Sequence, residues 1–479
     1  MGPRCISYGA LRAISCPPPQ REHRKLLSMA IAIHVEVSSR ELDSKLLLAV
    51  VAASRGHSVI VGDVIGAARS SLLPPSIFHT KSLGPSQKII KRHAEIIARG
   101  HKITSIDEEG NLIEYEDDSP VLRYGEETVS QASAIFCWGE SAHRPLITNY
   151  PHHAEKIHLT GSPRADLWSP RFANFWRSHV NLPDKPFLLV SSNMGAGRLP
   201  FASVLSIVDR TGAFEREPFQ KFDVLRNESE RLRVWASFVE AISHLSEEEL
   251  GYKIIVRPHP NEDPRAWEIL LSGLPNVEVT REGPISSWLN GAFALLHNGC
   301  TTALEATLAQ KPVISYTVFD QKTLQLSNDL GFRATNLEEL KSLVDNLFEE
   351  SKSGRSHKPL DKDATLVGGK IHSSTTELAS ERIVNLWDAL AEKNRIPGTK
   401  LLLFRAAMFV KHIRDNVLFR ILPPSKRQRV RETREKFPAI DLSRAKTQVA
   451  TLKEILDVSA DLQVRRLGER AILIAPRSS

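Results

Sequence analysis

Two buried strands that each lead straight into a polar motif constrain this chain to an α/β fold. The apolar residues 253–256 are followed by Arg-Pro-His-Pro at 257–260, and the apolar residues 292–296 by His-Asn-Gly-Cys-Thr-Thr at 297–302. A helical pattern and then another strand pattern follow the second motif over 302–316. In an open α/β sheet, ligands bind outside the carboxyl ends of the strands, which is where both motifs lie.

The second motif has the composition of an anion site. Gly299 allows a tight turn, and Thr301 and Thr302 begin a helix whose unpaired backbone N–H groups and dipole attract negative charge. Asn298 precedes the turn, and Glu305 lies on the same helical face as the threonines, where it could accept hydrogen bonds from ribose. We therefore predict a nucleotide-phosphate pocket. The alternatives are an N-cap role for Thr301 and a solvated Glu305.

The first motif places a histidine in a restricted turn. Pro258 and Pro260 limit the backbone on both sides of His259 and so fix the direction of its imidazole. A histidine held in this way could donate to a leaving phosphate, and Arg257 on the same turn could bind an anion with two hydrogen bonds. A turn histidine with a structural hydrogen bond is the alternative.

An acidic run offers a general base. Asp107, Glu108 and Glu109 precede Gly110, directly after a short strand pattern at 102–106. Clustered carboxylates repel one another, so the pKa of one of them can rise toward a value suited to proton abstraction from an acceptor hydroxyl. A solvated acidic turn is the alternative interpretation.

Two further loops follow predicted strands. Arg164, after the strand pattern at 157–160, could bind an anionic sugar or phosphate, and Asp166 is a second catalytic carboxylate in this prediction. Ser192 lies in a loop of small residues after the strand pattern at 187–190, and we expect it to face the ligand. An ordinary Ser-Pro turn would equally explain the residues around Arg164.

The order of elements predicts two Rossmann-like domains facing a cleft, a GT-B-like α/β fold with a basic helical C-terminal segment. The first domain opens with a strand at 31–37, a helix begun by a capping box of Ser38 and Glu41, and a strand at 58–61. The predicted division is an extension at 1–28 that is disordered or precedes a true start at Met29, an acceptor-side domain at 29–185, a nucleotide-sugar domain at 186–395 and the basic tail at 396–479.

The charge is concentrated in that tail. The chain carries a net charge of +7, and residues 400–436 hold eleven Lys and Arg against three acids. Apolar and basic residues alternate over 401–422, which predicts an amphipathic helix on an anionic membrane surface; packing back across both domains is the alternative. We predict no specific nucleic-acid partner, because the basic residues are confined to one segment.

Cysteine and apolar patterns exclude other classes. The four cysteines lack metal-ligand spacing, which favours a reducing compartment and no metal site. No apolar run approaches the roughly 20 residues that cross a bilayer.

The motifs together resemble those of several bacterial sialyltransferase families. Those families carry an acidic-acidic-Gly motif, a His-Pro motif and a Ser-Ser/Thr motif in this order on a GT-B fold. The counterparts here are Glu108-Glu109-Gly110, His259-Pro260 and Thr301-Thr302. The resemblance implies that the acidic motif supplies the base and that the other two bind and protonate the phosphate of a CMP-activated sugar acid. The chain departs from the pattern in its Cys-Thr-Thr and in its third carboxylate, so Asp107, Glu108 and Glu109 all remain open as the base.

From about residue 33 onward, the chain looks closer to the surface carbohydrate biosynthesis proteins, which are similar to capsule and O-antigen Kdo transferases. The residues that carry this resemblance are Glu36-Val37 with Arg40-Glu41-Leu42-Asp43, the acidic run Asp107-Glu108-Glu109-Gly110, Gly161-Ser162-Pro163-Arg164, Arg257-Pro258-His259-Pro260 and Asn298-Gly299-Cys300-Thr301-Thr302.

That resemblance implies a metal-independent transferase without a cofactor. It would move a Kdo- or nonulosonic-acid-like sugar from a CMP donor to a glycan or lipid-linked acceptor of capsule or lipopolysaccharide. The expected location is the cytoplasm or the inner face of its membrane, and Arg40 and Arg164 would bind substrate. A retaining reaction would also need a nucleophile, for which Asp166 is the candidate.

Two alternatives stay open. A UDP-sugar transferase or epimerase would not require Arg164 or Arg257 for a neutral sugar. A non-catalytic nucleotide-sugar-binding scaffold of a polysaccharide assembly complex would tolerate alanine throughout the acidic run.

Overall fold

A computed structural model describes most of the chain. It covers residues 28–477 except 65–69, 111–120, 195–204, 207–208, 210–220, 247–250, 261, 320–325, 355–358, 391–395, 422, 424–426, 428–430, 432–433 and 435. The predicted extension at 1–28 therefore lies outside the described residues, except for Ser28.

The first sheet contains six parallel strands. They are β1 (Ala30–His34), β2 (Ser58–Gly62), β3 (Ile77–Thr80), β4 (Lys102–Ile106), β5 (Ala134–Cys137) and β6 (Ile157–Leu159). Their order in the sheet is β2-β1-β3-β4-β5-β6. The helices of this part are α1 (Ser38–Ser54), α2 (Gln87–Ile97), α3 (Glu126–Gln131), α4 (Glu140–Asn149), α5 (Pro163–Trp168) and α6 (Ala173–Arg177).

The second sheet is wholly parallel. Its strands are β7 (Phe187–Ser191), β8 (Lys253–Arg257), β9 (Val277–Val279), β10 (Ala294–His297), β11 (Val313–Tyr316) and β12 (Phe332–Ala334). They lie in the order β9-β8-β7-β10-β11-β12, the 3-2-1-4-5-6 order of a Rossmann fold. Its helices are α7 (Lys221–Leu245), α8 (Pro264–Leu270), α9 (Ile285–Gly291), α10 (Thr302–Leu308) and α11 (Leu337–Lys352).

Two sheets with these strand orders confirm the predicted GT-B-like α/β fold with two Rossmann-like units. The predicted start of α1 needs a correction. Val37 is the N-cap and makes no side-chain capping bond, so Ser38 does not form the capping box. The carboxylate of Glu41 instead accepts the backbone N–H of Glu36 at 2.8 Å, because α1 is buried against the sheet and draws Glu41 inward.

The chain returns to the first sheet before residue 395. After α12 (Asp361–Lys370), helix α13 (Ala379–Leu390) packs on the first unit. Trp387 Nε1 donates to Thr104 Oγ1 at 3.1 Å, and Arg382 Nε donates to the carbonyl oxygen of Thr160 at 2.7 Å. Residues 379–390, predicted within the second domain, therefore lie in space with the first sheet.

The C-terminal segment is helical only in part. Helices α14 (Gly398–Ile421) and α15 (Leu442–Ile455) match the prediction, but an antiparallel hairpin of β13 (Leu462–Gly468) and β14 (Ala471–Pro476) follows. Strand β14 pairs with β2, with Ile472 opposite Val61. A Cβ at Gly62 would lie 2.0 Å from the carbonyl oxygen of Arg470, so glycine is required for this approach.

Candidate functional site

The topological switch point of the second sheet lies between β7 and β10. Connections leave these neighbouring strands in opposite directions, and such a point leaves a crevice at the carboxyl ends of the strands. Ser192 and Asn193 follow β7, while Asn298 and Gly299 follow β10. Asn193 Nδ2 donates to the carbonyl oxygen of Gly299 at 2.9 Å. The structure therefore brings together two loops that the sequence placed at strand ends.

The loop after β10 is fixed by a backbone carbonyl of β11 and by a side chain of the segment that follows β11. Gly299 has a φ of +62°, and its N–H donates to Asn328 Oδ1 at 2.6 Å. Asn298 Nδ2 donates to the carbonyl oxygen of Tyr316 at 2.8 Å. This left-handed turn requires glycine or a small polar residue. Asn328, which no sequence motif marked, holds the turn.

The two threonines of the motif have different surroundings. The Thr302 hydroxyl lies in a buried cluster, 3.3 Å from Ser191 Oγ and 3.1 Å from Cys300 Sγ, so its predicted contact with phosphate is not supported. Thr301 is exposed and makes no side-chain capping bond. Successive helical residues point about 100° apart. Only Thr301 of the pair therefore faces outward.

Glu262 connects the loops after β7 and β8, and its side chain is buried. It accepts hydrogen bonds from Ser192 Oγ at 2.5 Å, the Met194 N–H at 2.5 Å, the His259 N–H at 3.2 Å and Trp267 Nε1 at 3.1 Å. Ser192, predicted to contact ligand, thus directs its hydroxyl at Glu262. These bonds hold the backbone of His259 beside the switch point. The sequence offered no signal for this role.

Arg281 completes the His259 turn. One guanidinium nitrogen donates to the carbonyl oxygens of His259 at 2.7 Å and Glu262 at 3.1 Å. His259 is half-buried and Pro260 is exposed, so the turn reaches the surface while its backbone is held from both sides. The backbone of the turn is therefore restrained by Glu262 and Arg281. The direction of the His259 imidazole and its contact with a phosphate stay predictions.

Arg257 has a structural position instead of the predicted anion-binding one. Its guanidinium donates to three backbone carbonyl oxygens, those of Thr280 at 3.2 Å, Glu282 at 2.8 Å and Gly283 at 2.7 Å. Burial, together with the nearby charge of Arg281, lowers its pKa to about 10. As the last residue of β8, Arg257 points toward the chain that follows β9. It therefore braces that segment.

The three carboxylates after β4 lie in three environments. Glu108 forms an ion pair with Lys45 of α1, and both side chains are buried. Asp107 pairs with Arg123 at 2.7 Å and its side chain is 16% exposed. Glu109 pairs with the same Arg123 at 2.6 Å, but its side chain is 49% exposed. Glu109 is therefore the carboxylate of the run that solvent reaches most easily.

Their protonation also differs. Burial raises the pKa of Asp107 and outweighs the opposing charge of Arg123. Burial would raise the pKa of Glu109 too, but the hydrogen bond and charge of Arg123, with the charge of Arg40, lower it overall. Glu109 is thus an ionised, accessible carboxylate at neutral pH. Arg40 lies 3.6 Å from it, at the same side of the loop.

Gly110 explains why the acidic run ends in glycine. Its φ is +63°, and a Cβ there would lie 3.0 Å from the indole ring of Trp138. The Trp138 Nε1–H donates to the carbonyl oxygen of Asp107 at 2.6 Å. The loop therefore lies flat against Trp138, and a side chain at residue 110 would displace it.

A buried polar line runs from the acidic loop into the core. Lys45 Nζ lies 3.3 Å from His79 Nε2, and His79 Nδ1 lies 3.1 Å from Thr104 Oγ1. Burial, with the charge of Lys45, lowers the pKa of His79 well below its ordinary value, so the imidazole is neutral. It can then accept from Lys45 and donate to Thr104. In the sequence, Lys45 directly precedes the apolar stretch 46–53 of α1.

Arg164 and Glu305 link the two sheets electrostatically. Arg164, on α5, donates to the carbonyl oxygen of Glu108 at 3.4 Å. Burial lowers the pKa of Arg164, and the charge of Glu305 from the second unit opposes this effect. Glu305 is buried, accepts a hydrogen bond from Ser286, and has a pKa raised by burial. Glu305 therefore points at Ser286 and toward Arg164, and its predicted bond to ribose is not supported.

Asp166 is committed to the start of α13. Its carboxylate accepts the N–H groups of Ala379 and Ser380 and the hydroxyl of Ser380, each at 2.9 Å. Burial raises its pKa, while these hydrogen bonds oppose the rise. The prediction of a catalytic carboxylate is therefore replaced by a helix-capping role. Asp166 ties α5 to the returning chain.

Within the described part of the chain, no group of three or more His, Cys, Asp or Glu side chains is arranged to hold a metal ion. That the reaction needs neither metal nor cofactor stays a prediction.

Several solved structures resemble this one at low identity. The UDP-GlcNAc 2-epimerase from Methanocaldococcus jannaschii has a TM-score of 0.46 and 13% identity, and the match covers 76% of this chain and 99% of the epimerase. A glycosyltransferase from Rickettsia africae has a TM-score of 0.43 and 13% identity, with 76% and 98% covered. A putative UDP-N-acetylglucosamine 2-epimerase from Listeria monocytogenes has a TM-score of 0.42 and 12% identity, with 77% and 98% covered.

These likenesses do not indicate an activity for this chain, because their TM-scores are below 0.5 and their identities are low. The fold assignment rests on the strand orders described above. No family model and no curated protein matches the sequence. The resemblance to surface carbohydrate biosynthesis proteins therefore stays a prediction.

Proposed function

We propose that this chain is a glycosyltransferase of GT-B type that moves an acidic 2-keto sugar from a CMP donor to a glycan or lipid-linked acceptor. The observation that carries the proposal is the switch point of the second sheet. There the loops after β7 and β10 are joined by Asn193 and Gly299, beside the fixed turn of His259. Ligands of doubly wound α/β sheets bind at such switch points.

The nucleotide side of the proposal uses groups that the structure leaves outward-facing. Thr301 is exposed at the start of α10, and the half-buried His259 reaches the same edge of the sheet. His259 would donate a proton or a hydrogen bond to the phosphate oxygen as its bond to the sugar breaks. Ser192, Thr302, Glu262 and Asn328 would support these groups without contacting the nucleotide.

The base in this proposal is Glu109. It is ionised at neutral pH and half-exposed, whereas Glu108 is buried against Lys45. In a direct displacement, Glu109 would take the proton of the acceptor hydroxyl while that oxygen attacks the anomeric carbon. The bond from this carbon to the phosphate oxygen would break, and CMP would leave. A retaining route would need another nucleophile, because Asp166 is committed to α13.

Two arginines support a sugar acid as the donor. Arg40 and Arg164 both lie beside the acidic loop, and either could bind the carboxylate of a 2-keto sugar. The opposing observation is that each already faces an acid, Arg40 facing Glu109 and Glu41, and Arg164 facing Glu305. Because these acids offset the charge of both arginines, the same residues could also bind a donor with a neutral sugar. A UDP-sugar transferase or epimerase is therefore the second candidate.

A role in surface polysaccharide synthesis follows from this proposal. The resemblance to Kdo transferases implies that such a sugar enters capsule or lipopolysaccharide. The acceptor would then be met in the cytoplasm or at the inner face of its membrane.

Product analysis tests the proposal. The purified chain is incubated with CMP-Kdo, CMP-sialic acid or UDP-GlcNAc and a mixture of glycan acceptors, and the released nucleotide is quantified beside Glu109→Gln. Release of CMP that depends on both acceptor and Glu109 supports the proposal. Turnover of the UDP-sugar alone would move the assignment to the second candidate. Nucleotide-sugar binding with no turnover of any donor would support the scaffold.

A further inference from the structure

Helix α14 presents an exposed apolar stripe. Leu402, Phe409, Ile413 and Val417 recur at seven- and four-residue spacing, which places them on one face of the helix. Their exposed fractions are 63%, 64%, 46% and 54%. Three further exposed residues widen the stripe, Leu403, Val410 and Ile421. The surfaces of monomeric soluble proteins rarely carry large contiguous apolar patches, and those that do occur often mark binding sites.

The opposite face of α14 is anchored to the first sheet. Phe404 and Met408 are buried, and Met408 packs against Gly468, where a Cβ would lie 2.9 Å from its side chain. Lys411 forms an ion pair with Asp63, directly after β2. His412 pairs with Glu469 at 2.8 Å. The fold thus holds the helix in one orientation, with its apolar stripe directed outward.

Basic side chains flank the stripe. At about 100° per residue, Arg405 and Arg414 project from its two sides, and Arg420 lies in the last turn of the helix. All three are exposed. Beyond the helix, Arg427, Arg431 and Lys436 are exposed as well. The one acid on the helix, Asp415, pairs with Arg414 at 3.1 Å and lies 3.8 Å from Lys411. The helix thus holds five basic side chains against one acid, so it carries a net positive charge even with Arg414 and Lys411 beside Asp415.

We propose that α14 and the basic residues after it form a docking surface for an anionic lipid bilayer. An apolar face rimmed by Arg and Lys lies in the interface of a bilayer, with the side chains of the face below the headgroups and the cations among anionic lipids. None of the helices in the described part of the chain is long and apolar enough to cross a membrane. This inference does not depend on the proposed transfer reaction.

The docking surface on α14 lies near the acidic loop of the first sheet. Asp63, which pairs with Lys411, lies at the carboxyl end of β2, and the acidic loop of Glu109 follows the carboxyl end of β4 in the same sheet. Strands β2 and β4 are separated by β1 and β3, so these ends lie roughly 15 Å apart across the sheet. A bilayer on α14 would bring lipid-linked acceptors to the edge of the first sheet that carries the acidic loop.

Vesicle flotation tests the surface. The full chain is mixed with phosphatidylcholine vesicles with or without phosphatidylglycerol, and the bound fraction is measured. Three variants are compared: Phe409→Ser/Ile413→Ser/Val417→Ser, Arg405→Gln/Arg414→Gln/Arg420→Gln, and the control Ile269→Ser/Leu270→Ser, whose sites on α8 are also exposed. We expect the wild type and control to bind only anionic vesicles, and both α14 variants to bind on the order of a hundredfold more weakly.

Equal binding by the wild type and the apolar-stripe variant would overturn the proposal. So would equal binding to neutral and anionic vesicles. Hydrogen exchange of the wild type gives a second readout that needs no variant, and anionic vesicles should slow exchange in peptides from 402–421. Light scattering tests whether a second copy of the chain covers the stripe instead. If the wild type forms a dimer that the serine variant abolishes, and does not bind vesicles, the bilayer proposal is overturned.

Discussion

Lys45 of α1 and Glu108 of the acidic loop form a buried ion pair, with 2% and 4% of their side chains exposed. The pair joins the first crossover helix to the carboxyl end of β4. A buried pair contributes little by itself, but removing one member leaves an uncompensated charge. The position of the loop, and so of its neighbour Glu109, therefore depends on a residue of the first helix.

Removing Lys45 should destabilise the fold. We expect Lys45→Met to lower the free energy of unfolding by about 3–5 kcal/mol, because Glu108 would remain buried without a counter-ion. Urea denaturation measures the change. The double variant Lys45→Met/Glu108→Leu is the matched control and should recover most of the loss. A double variant as unstable as the single one would show that the lost charge pairing is not the cause.

Replacing Glu109 should affect turnover far more than stability, because its exposed ion pairs with Arg123 and Arg40 contribute at most about 1 kcal/mol. We expect Glu109→Gln to lower the transfer rate by about 10²–10⁴-fold, the usual contribution of a general base, because the amide cannot take a proton. Initial rates of nucleotide release measure this, with unfolding curves recorded in parallel. Glu127→Gln, an exposed acid on α3, is the control and should match the wild type. A Glu109→Gln enzyme that retains wild-type turnover would exclude Glu109 as the base.

Glu262 should control both stability and nucleotide affinity. In Glu262→Ala, four donors lose their acceptor, so we expect unfolding to become easier by about 2–4 kcal/mol. The freed His259 turn should also weaken nucleotide binding, which calorimetry would detect. Asp263→Ala, which removes only the exposed cap of α8, should leave affinity unchanged. If Glu262→Ala binds nucleotide as tightly as the wild type, the His259 turn is not part of the nucleotide site.

His297, buried at the end of β10, should give the stability a pH dependence. Burial lowers its pKa from 6.5 to about 3. Between these values the unfolded chain binds the proton and the folded chain does not, so stability falls as the pH falls below 6.5. The expected slope from this residue is about 1.4 kcal/mol per pH unit.

The difference between wild type and His297→Asn isolates this slope from the other titrating groups. Chemical denaturation at several pH values between 4 and 7 should show the wild type losing stability faster than the variant as the pH falls. The exposed His152→Asn serves as the control and should follow the wild type. Parallel curves for wild type and His297→Asn would contradict the assignment.

The motifs at the strand ends predicted which loops form the candidate site. The strands before residues 107, 192, 258 and 298 all formed as expected, since continuous apolar runs bounded by turn residues leave few alternatives. The direction of each side chain was not predictable, because it depends on contacts distant in sequence. Arg257 and Thr302 belong to the right motifs, yet their groups are satisfied inside the fold.

Other features lacked any local signal. The hairpin strand β14 is a short apolar run that fits a buried helix as well as a strand, and only its pairing with β2 decides between them. The short strands β3, β9 and β12 have three or four residues each, too few for a clear period. Glu262 and Asn328 act through bonds to distant loops.

The central claim is that the switch point of the second sheet binds the nucleotide of the donor, and calorimetric titration tests it most directly. The full chain is titrated with CMP, CDP, UDP, GDP and ADP, beside His259→Ala and Glu109→Gln. We predict selective binding of CMP that Glu109→Gln retains and His259→Ala weakens by about ten- to a hundredfold, the effect of losing a hydrogen bond to a charged group. No binding of any nucleotide, or equal CMP affinity in His259→Ala, would contradict the account.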